Sequence, residues 1–292
     1  MTVLSGFDEG LAEVNGQQIA YAKGGAGPGL LLLHGFPQTH AMWHAVAPVL
    51  AEHFTVVAAD LRGYGASAKP EGTENYSFRH MAADQHALMQ HLGLEQFHLV
   101  GHDRGGRTAH RLALDHAACV LSLTVMDIIP THLLLNELNR HVARAYYHWF
   151  FLPQPYPFPE TMIGHDADAF FESCLSGWGS TDMTAFDPQA LAAYRAAWRD
   201  PETIRGMCAD YRAALSLDFD LDAADLGTQV TCPALVMFGA DGPMGKAYDV
   251  PATWADRLTN MQSAGVPGGH FFIDEHPKET AQALLRFLNA QS

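Results

Sequence analysis

The chain has 292 residues, of which 48% are hydrophobic and 17% are charged, so it can bury a large core and is neither disordered nor fibrous. Its 17 basic against 32 acidic residues give a formal charge of −15, which argues against nucleic acid or an anionic membrane as a partner. The four cysteines form no CxxC pair, no basic signal-peptide region opens the chain and no apolar run approaches the ~18 residues of a membrane span, so we expect a cytoplasmic protein with reduced thiols.

Short apolar runs alternate with helical stretches over the first 130 residues. The runs that we interpret as strands are residues 30–33, 54–59, 97–101 and 123–126, with 234–238 near the C-terminus. Because these runs are continuously apolar, they predict a parallel sheet that is buried on both faces. Helices predicted at 78–92 and 104–115 would supply the crossovers, and polar residues at the carboxyl ends of the strands are the candidates for chemistry.

The alternation stops after Pro130, and residues 131 to about 222 are helical in pattern and rich in aromatic side chains. Strand signals resume at Val230, and residues 282–288 predict a closing helix. An insertion between two strands of one sheet predicts a cap over its carboxyl edge. We therefore predict a core domain formed by residues 1–130 and 223–292 and a helical cap domain formed by residues 131–222.

The segment Gly101-His102-Asp103-Arg104-Gly105 lies between a predicted strand and a predicted helix. It has the spacing of the G-x-S-x-G nucleophile elbow, with aspartate in place of serine. The helix N-terminus behind this turn favours an ionised carboxylate. The alternative is that Asp103 only caps the helix that opens at Arg104. The strand before it and the upstream HGFP segment favour a nucleophile.

The segment His34-Gly35-Phe36-Pro37 follows the first strong strand signal. In an α/β-hydrolase this loop supplies one backbone N–H of the anion hole, and the residue after the nucleophile supplies the other. The two donors would then belong to Phe36 and Arg104. An ordinary turn is the alternative, since HG alone is weak support.

A general base and an orienting acid are expected later in the chain. His270 fits the base because it lies in a glycine-rich loop before the last helix, although it is one of 17 histidines. The acid has two candidates, since Asp127 ends the strand after the nucleophile's helix and Asp241 ends a later one. Either could be a loop cap. We favour Asp127.

Seven segments of the chain resemble the fluoroacetate (haloacetate) dehalogenases of the α/β-hydrolase superfamily: HGFPQTHAMWH, DLRGYGAS, GHDRGGR, VMDIIP, YYHWFFLPQP, CADYRA and GGHFFIDEHP. The resemblance runs from about Gly29 to the C-terminus. It implies an α/β fold with a mostly parallel central sheet flanked by helices, an inserted helical cap and a homodimer. It also implies Asp103 as nucleophile, His270 as base and Asp127 as acid, whereas the aspartate at 241 departs from the family pattern.

Arg104 and Arg107 follow the nucleophile at positions i and i+3 and so share one face of the predicted helix. Planar guanidinium groups with forked donors suit a carboxylate. The alternative is that both arginines balance acids on a solvated face. The resemblance implies that they hold the carboxylate of the substrate.

The predicted cap contributes His148, Trp149 and Tyr211, which the resemblance implies as hydrogen-bond donors to the departing halide. From the residues alone, both aromatic side chains would be core and His148 a neighbour with satisfied hydrogen bonds. Fluoride leaves poorly, so donors must meet its developing charge as the bond breaks. Trp178 is expected to line the same pocket.

The sequence therefore predicts hydrolysis of small 2-haloacids, above all fluoroacetate, through an aspartyl ester on Asp103, with no cofactor and no metal. An epoxide hydrolase shares the same triad, but it needs two cap tyrosines. Tyr211 could be one, and Tyr146 or Tyr147 the other. A non-catalytic receptor for a small acid is the remaining alternative.

Overall fold

A computed structural model describes residues 3–137, 140–177 and 182–291, apart from the side chain at position 141. Within these ranges eight strands form one sheet. The strands are β1 (Asp8–Val14), β2 (Gln17–Gly24), β3 (Gly29–Leu33), β4 (Thr55–Ala59), β5 (Phe97–His102), β6 (Val120–Met126), β7 (Val230–Gly239) and β8 (Leu258–Val266). Their order across the sheet is β1-β2-β4-β3-β5-β6-β7-β8.

The sheet is parallel from β4 to β8, and β1 and β2 add an antiparallel hairpin at one edge. The five predicted strands are confirmed as β3 to β7. All residues of β3 and β5 are buried, as expected for strands covered on both faces. The hairpin and β8 were not predicted, because most of their residues are exposed or half-buried.

The helices that flank the sheet are α1 (Ala47–Leu50), α2 (Phe78–His91), α3 (Arg104–Asp115), α12 (Pro243–Ala247), α13 (Phe272–Glu275) and α14 (Pro277–Leu288). The predicted helices at 78–92 and 104–115 correspond to α2 and α3. The closing helix begins at Pro277, five residues earlier than the 282 predicted, because a proline at the first helical position already has the helical φ.

The insertion between β6 and β7 is helical throughout its described part. Its helices are α4 (Thr131–Asn136), α5 (Arg140–Ala145), α6 (His148–Phe151), α7 (Phe158–His165), α8 (Ala167–Gly177), α9 (Pro188–Trp198), α10 (Pro201–Ala213) and α11 (Phe219–Ala224). A π-helical turn, Ala214–Asp218, joins α10 to α11. The predicted domain boundary at 222 falls inside α11, and the division into two domains stays a prediction. No helix in the described ranges is long and apolar enough to cross a membrane.

Candidate active site

Asp103 lies at the sharp turn between β5 and α3. Its backbone has φ 46° and ψ −113°, a conformation that costs a non-glycine residue energy and that clusters at functional sites. The turn needs small neighbours, since a Cβ added at Gly101 would lie 2.2 Å from the carbonyl oxygen of Gly105. The side chain of Asp103 makes no capping hydrogen bond to α3. The turn therefore has the geometry of a nucleophile elbow and not that of a helix cap.

The Asp103 carboxylate is buried and ionised. The backbone N–H of Phe36, in the loop after β3, donates to Asp103 Oδ2 at 3.0 Å. Burial acts to raise the pKa of Asp103, but the nearby charges of His270, Arg104 and Arg107 outweigh it and hold that pKa below its ordinary value. A buried aspartate kept as the anion can act as a nucleophile at neutral pH.

His270 follows β8, and its Nδ1 lies 2.6 Å from Asp127 Oδ2 at the end of β6. The other Asp127 oxygen accepts a hydrogen bond from Gly239 N at 2.9 Å. Burial acts to lower the pKa of His270, but the hydrogen bond and the charge of Asp127 outweigh it and raise that pKa. The carboxylate of Asp241 instead accepts from Gly268 N at 3.1 Å, so the structure brings Asp127 and not Asp241 to His270.

Arg104 is fully buried and points at an acid that the sequence did not single out. Its Nε and Nη2 donate to the two carboxylate oxygens of Asp210 in α10, at 2.8 and 2.5 Å. Its Nη1 is buried and has no hydrogen-bond partner among the described residues. One of the two predicted carboxylate-binding arginines is thus already paired, with a single donor left over.

Arg107 differs from Arg104 in its partners. Its Nη1 donates to the carbonyl oxygen of Ile129 at 2.9 Å and to Thr131 Oγ1 at 3.0 Å, while its buried Nε has no partner in the described part of the chain. Burial lowers the pKa of Arg107 to about 10, so the guanidinium is still a cation at neutral pH. Both arginines lie close enough to Asp103 to lower its pKa.

The three predicted halide donors come together beside these arginines. The Tyr211 ring lies 5.4 Å from the His148 ring and 5.2 Å from the Trp149 ring, between centroids. Burial and the charge of Asp103 raise the pKa of Tyr211 well above its ordinary value, and burial lowers that of His148 well below its own. Tyr211 is therefore a phenol and His148 a neutral imidazole, so each can donate a hydrogen bond. The buried Tyr211 hydroxyl has no partner within the described ranges.

Tyr146 and Tyr147, the two candidates for a second donor to an epoxide, differ in their burial. Tyr146 is buried, with its ring 5.8 Å from His148 and 6.5 Å from His270. Tyr147 is 44% exposed. Trp178, expected in the pocket, lies outside the described residues.

Sequence reasoning missed three side chains at this site. Asp210 and its hydrogen-bond donor Tyr64 surround Arg104, and His102 Nε2 donates to the carbonyl oxygen of His270 at 2.8 Å. Burial lowers the pKa of His102 to about 4, so it braces the His270 loop as a neutral group. A buried arginine requires an acid, and the aspartate of CADYRA was the available signal.

No group of three His, Cys, Asp or Glu side chains suited to a metal ion occurs in the described part of the chain.

Comparison with known proteins places this geometry in a family. The family described as the alpha/beta hydrolase fold matches residues 28–277. A fluoroacetate dehalogenase from Burkholderia sp is 56% identical over 98% of this chain and 95% of its own. A soluble epoxide hydrolase from Corynebacterium sp. (strain C12) is 31% identical over 94% of this chain and 95% of its own. A provisionally assigned alpha/beta hydrolase structure from Nostoc sp PCC 7120 has a TM-score of 0.95 at 48% identity, covering 97% of this chain and 98% of that one. The chain therefore belongs to the α/β-hydrolase family, and within that family it is similar to the fluoroacetate dehalogenases.

Proposed function

We propose that this enzyme hydrolyses small 2-haloacids and converts fluoroacetate and water to glycolate and fluoride. It is a hydrolase acting on carbon–halide bonds, as its 56% identity to a fluoroacetate dehalogenase over 98% of the chain supports. The observation that carries the proposal is the surroundings of Asp103, which combine a His–Asp pair, two arginines and a cluster of neutral donors.

In the first step Asp103 displaces the halide. Because Phe36 N–H binds Oδ2, we assign the attack to Oδ1. Oδ1 forms a bond to the halogen-bearing carbon while the carbon–halogen bond breaks. The electron pair of the carbon–halogen bond leaves with the halide. Arg104 Nη1 and Arg107 Nε are the donors available to the substrate carboxylate. The product of this step is an ester on Asp103.

The halide leaves toward His148, Trp149 and Tyr211. Each of these side chains carries an N–H or O–H group, and His148 and Tyr211 are held in their neutral, donating forms. Fluoride is small and strongly basic, so short hydrogen bonds stabilise the transition state as its charge develops.

In the second step water hydrolyses the ester. His270, oriented by Asp127, takes a proton from water, and the hydroxide adds to the carbonyl carbon of Asp103. The Phe36 N–H already bound to Oδ2 is one donor for the oxyanion, and the backbone N–H of Arg104 is the other donor we assign. As this intermediate collapses, the bond between the Asp103 carbonyl carbon and Oδ1 breaks, and protonated His270 gives its proton to the departing glycolate oxygen. The proton of the added hydroxide is lost to solvent, which restores the Asp103 carboxylate.

The variant His270→Ala tests this mechanism, because it should form the ester but fail to hydrolyse it. After incubation with fluoroacetate or chloroacetate, the intact protein should gain one carboxymethyl group, and Asp103→Asn should gain none. An unchanged mass of His270→Ala, in a protein whose wild type releases fluoride, would mean that water attacks the substrate carbon directly.

A second candidate function is epoxide hydrolysis, favoured by one observation. Tyr146 and Tyr211 are both buried beside the Asp103–His270 pair, and an epoxide oxygen needs two such phenols. Fluoride release from fluoroacetate supports the dehalogenase, and diol formation from a simple epoxide supports the alternative. If neither substrate is turned over, the remaining function is that of a non-catalytic receptor for a small acid.

We further propose that the protein is a cytoplasmic homodimer and that the small haloacid is the only other molecule it binds. This rests on the family resemblance and on the acidic composition, with a formal charge of −15. Sedimentation equilibrium of the purified chain tests the dimer.

A further inference from the structure

The two arginines beside Asp103 are not equivalent. Arg104 donates two hydrogen bonds to the Asp210 carboxylate, whereas the hydrogen-bond partners of Arg107 are the neutral oxygens of Ile129 and Thr131. An arginine bound in this forked way to one carboxylate has a fixed plane. The Arg104–Asp210 pair also carries no net charge.

We infer that Asp210 is a positioning residue for substrate binding. It fixes the plane of the Arg104 guanidinium so that Nη1 is the donor left for the substrate carboxylate. The guanidinium whose hydrogen-bond partners in the described residues include no carboxylate is that of Arg107. This inference rests on the proposed function, because it assigns Arg104 to the carboxylate of the substrate.

The contacts of Arg104 leave little freedom to its guanidinium. Nε and Nη2 bind the Asp210 side chain, and Nη2 also donates to the Asp210 carbonyl oxygen at 3.2 Å. The rings of Tyr211, Phe78 and Trp149 lie 4.2, 4.6 and 5.0 Å from its central carbon. A side chain this enclosed has already lost its rotational entropy before the substrate binds, which favours affinity.

Asp210 is itself held in place. It is fully buried, and Tyr64 Oη, from the loop after β4, donates to its Oδ2 at 2.6 Å. Its neighbour in α10 is Tyr211, so one turn of helix carries both the support of the carboxylate-binding arginine and a halide donor. Displacement of Asp210 would therefore disturb both ends of the substrate site.

A matched control exists a few turns further along the same helical segment. Asp225, directly after α11, forms an ion pair with Arg111, which like Arg104 belongs to α3. This pair also ties the insertion to α3, through the end of α11, but Arg111 has no role in the proposed site. Asp225→Asn therefore removes a contact between the insertion and the core without touching Arg104.

The experiment compares Asp210→Asn with Asp225→Asn and with wild type. In Asp210→Asn the Arg104 guanidinium is no longer held in its plane, and Nη1 should lose its hydrogen bond to the substrate carboxylate. Loss of such a charged hydrogen bond costs roughly tenfold or more in binding, so KM for fluoroacetate and chloroacetate should rise by at least about tenfold. Because asparagine has the shape of aspartate, Tyr211 should keep its position, and kcat should change much less than KM, since the carboxylate is bound alike in the ground and transition states. Asp225→Asn should leave both constants near those of wild type.

Two further measurements keep the inference testable if Asp210→Asn folds poorly or if turnover is absent. Tyr64→Phe removes one hydrogen bond from Asp210 and should raise KM in the same direction by a smaller factor. Calorimetric titration with glycolate, the product monoanion, should show the same weakening for Asp210→Asn without any turnover.

A double-mutant cycle with Arg104→Met identifies the route of the effect. If Asp210 acts through Arg104, Asp210→Asn should add little to the KM of Arg104→Met. Multiplicative effects of the two changes, equal effects of Asp210→Asn and Asp225→Asn, or unchanged glycolate binding by a folded Asp210→Asn would each overturn the inference. Absence of fluoride release by wild type would instead count against the proposed function, and glycolate binding would still decide the role of Asp210.

Discussion

The Asp103 carboxylate and the His270 imidazole are both buried, and their neighbours move their pKa values in opposite directions. The pKa of Asp103 is held below its ordinary value of 3.8, so the proposed nucleophile is ionised at neutral pH. The pKa of His270 is raised above 6.5, so the proposed base becomes protonated and inactive as the pH falls through this raised pKa. The negative charge of Asp103 contributes to this rise, and esterification removes it.

We therefore expect the two chemical steps to depend differently on pH. Single-turnover experiments should show ester formation that is flat from about pH 5.5 to 9, because Asp103 has no titration there. Ester hydrolysis should fall about tenfold per pH unit below the pKa of His270. In the ester that pKa should lie lower than in the free enzyme, since Asp103 is then neutral. An acidic limb in ester formation would contradict this assignment.

The cluster of Tyr211, Trp149 and His148 predicts a dependence on the halide. Fluoride gains most from hydrogen bonds as it departs, and chloride and bromide leave more readily. Tyr211→Phe and Trp149→Phe should therefore lower kcat/KM for fluoroacetate by a larger factor than for chloroacetate or bromoacetate. Ester formation must be followed separately so that slow hydrolysis does not mask the difference. Equal factors for all three acids would mean that these residues only shape the pocket.

The turn from β5 into α3 depends on glycine at positions 101 and 105. A Cβ on Gly105 would lie 2.4 Å from the carbonyl oxygen of His34 and 2.5 Å from that of Leu33, and neither backbone atom can move without displacing β3. Gly105→Ala should therefore destabilise the protein by roughly 1–3 kcal/mol and displace Phe36 N–H from Asp103, with a loss of activity.

Gly164→Ala is the matched control for that substitution. Gly164 lies within α7, and nothing is within 4 Å of its added Cβ. Alanine there should stabilise the protein by about 0.5–1 kcal/mol, because glycine is a poor helix former. Urea unfolding of the two variants compares them. A Gly105→Ala variant as stable and active as wild type would show that the loop after β3 can shift.

Elements whose residues follow one simple pattern could be predicted from the sequence. The run of leucines in β3 is apolar throughout because both faces of the strand are covered, and such a run is visible without any structure. In β8 most residues are exposed or half-buried, so no apolar pattern marks it. Asp103 and Asp127 could be placed because each follows a predicted strand at the same edge of the sheet, and His270 because it lies in a glycine-rich loop before the last helix.

Contacts between distant elements could not be predicted in the same way. Asp210 is 106 positions from Arg104 in the sequence, and only the folding of the chain makes them partners. A helix pattern shows that one face of α10 is buried, but it does not show which core residue lies beneath a given position. The sequence therefore predicted the arginines as a pair of equals, and the difference between them became visible only in the fold.

The buried carboxyl of Asp274 lies where three parts of the fold that surround the site meet. Asp274 in α13 accepts a hydrogen bond from Gln38 Nε2 at 2.8 Å, and the same Nε2 donates to Tyr194 of α9 at 3.1 Å. The loop after β3, the inserted helices and the segment after His270 thus meet at this group. Burial and the nearby Glu275 raise the pKa of Asp274 to about 7. Its hydrogen-bond partners in the described part of the chain include no arginine or lysine that would offset the cost of ionisation.

This raised pKa predicts how the stability of the protein changes with pH. The folded state binds the Asp274 proton more tightly than the unfolded state, in which the carboxyl titrates near 3.8. The contribution of protonated Asp274 to the free energy of unfolding is therefore fully present below pH 3.8 and is lost as the pH rises to about 7. A difference of this size corresponds to as much as about 4 kcal/mol.

Asp274→Asn should remove that dependence on pH. Its amide oxygen can still accept from Gln38 Nε2, and its amide nitrogen can donate to Gln38 Oε1, which has no partner among the described residues. In urea unfolding the variant should be more stable than wild type at pH 8 and nearly equal to it at pH 4.5. Asp84→Asn is the opposite case, because it leaves Arg62 buried without its ion-pair partner and should destabilise the protein by about 3–5 kcal/mol at pH 8. A loss of stability in Asp274→Asn that is equal at both pH values would mean that Asp274 is ionised in the folded protein, and the raised pKa would then be wrong.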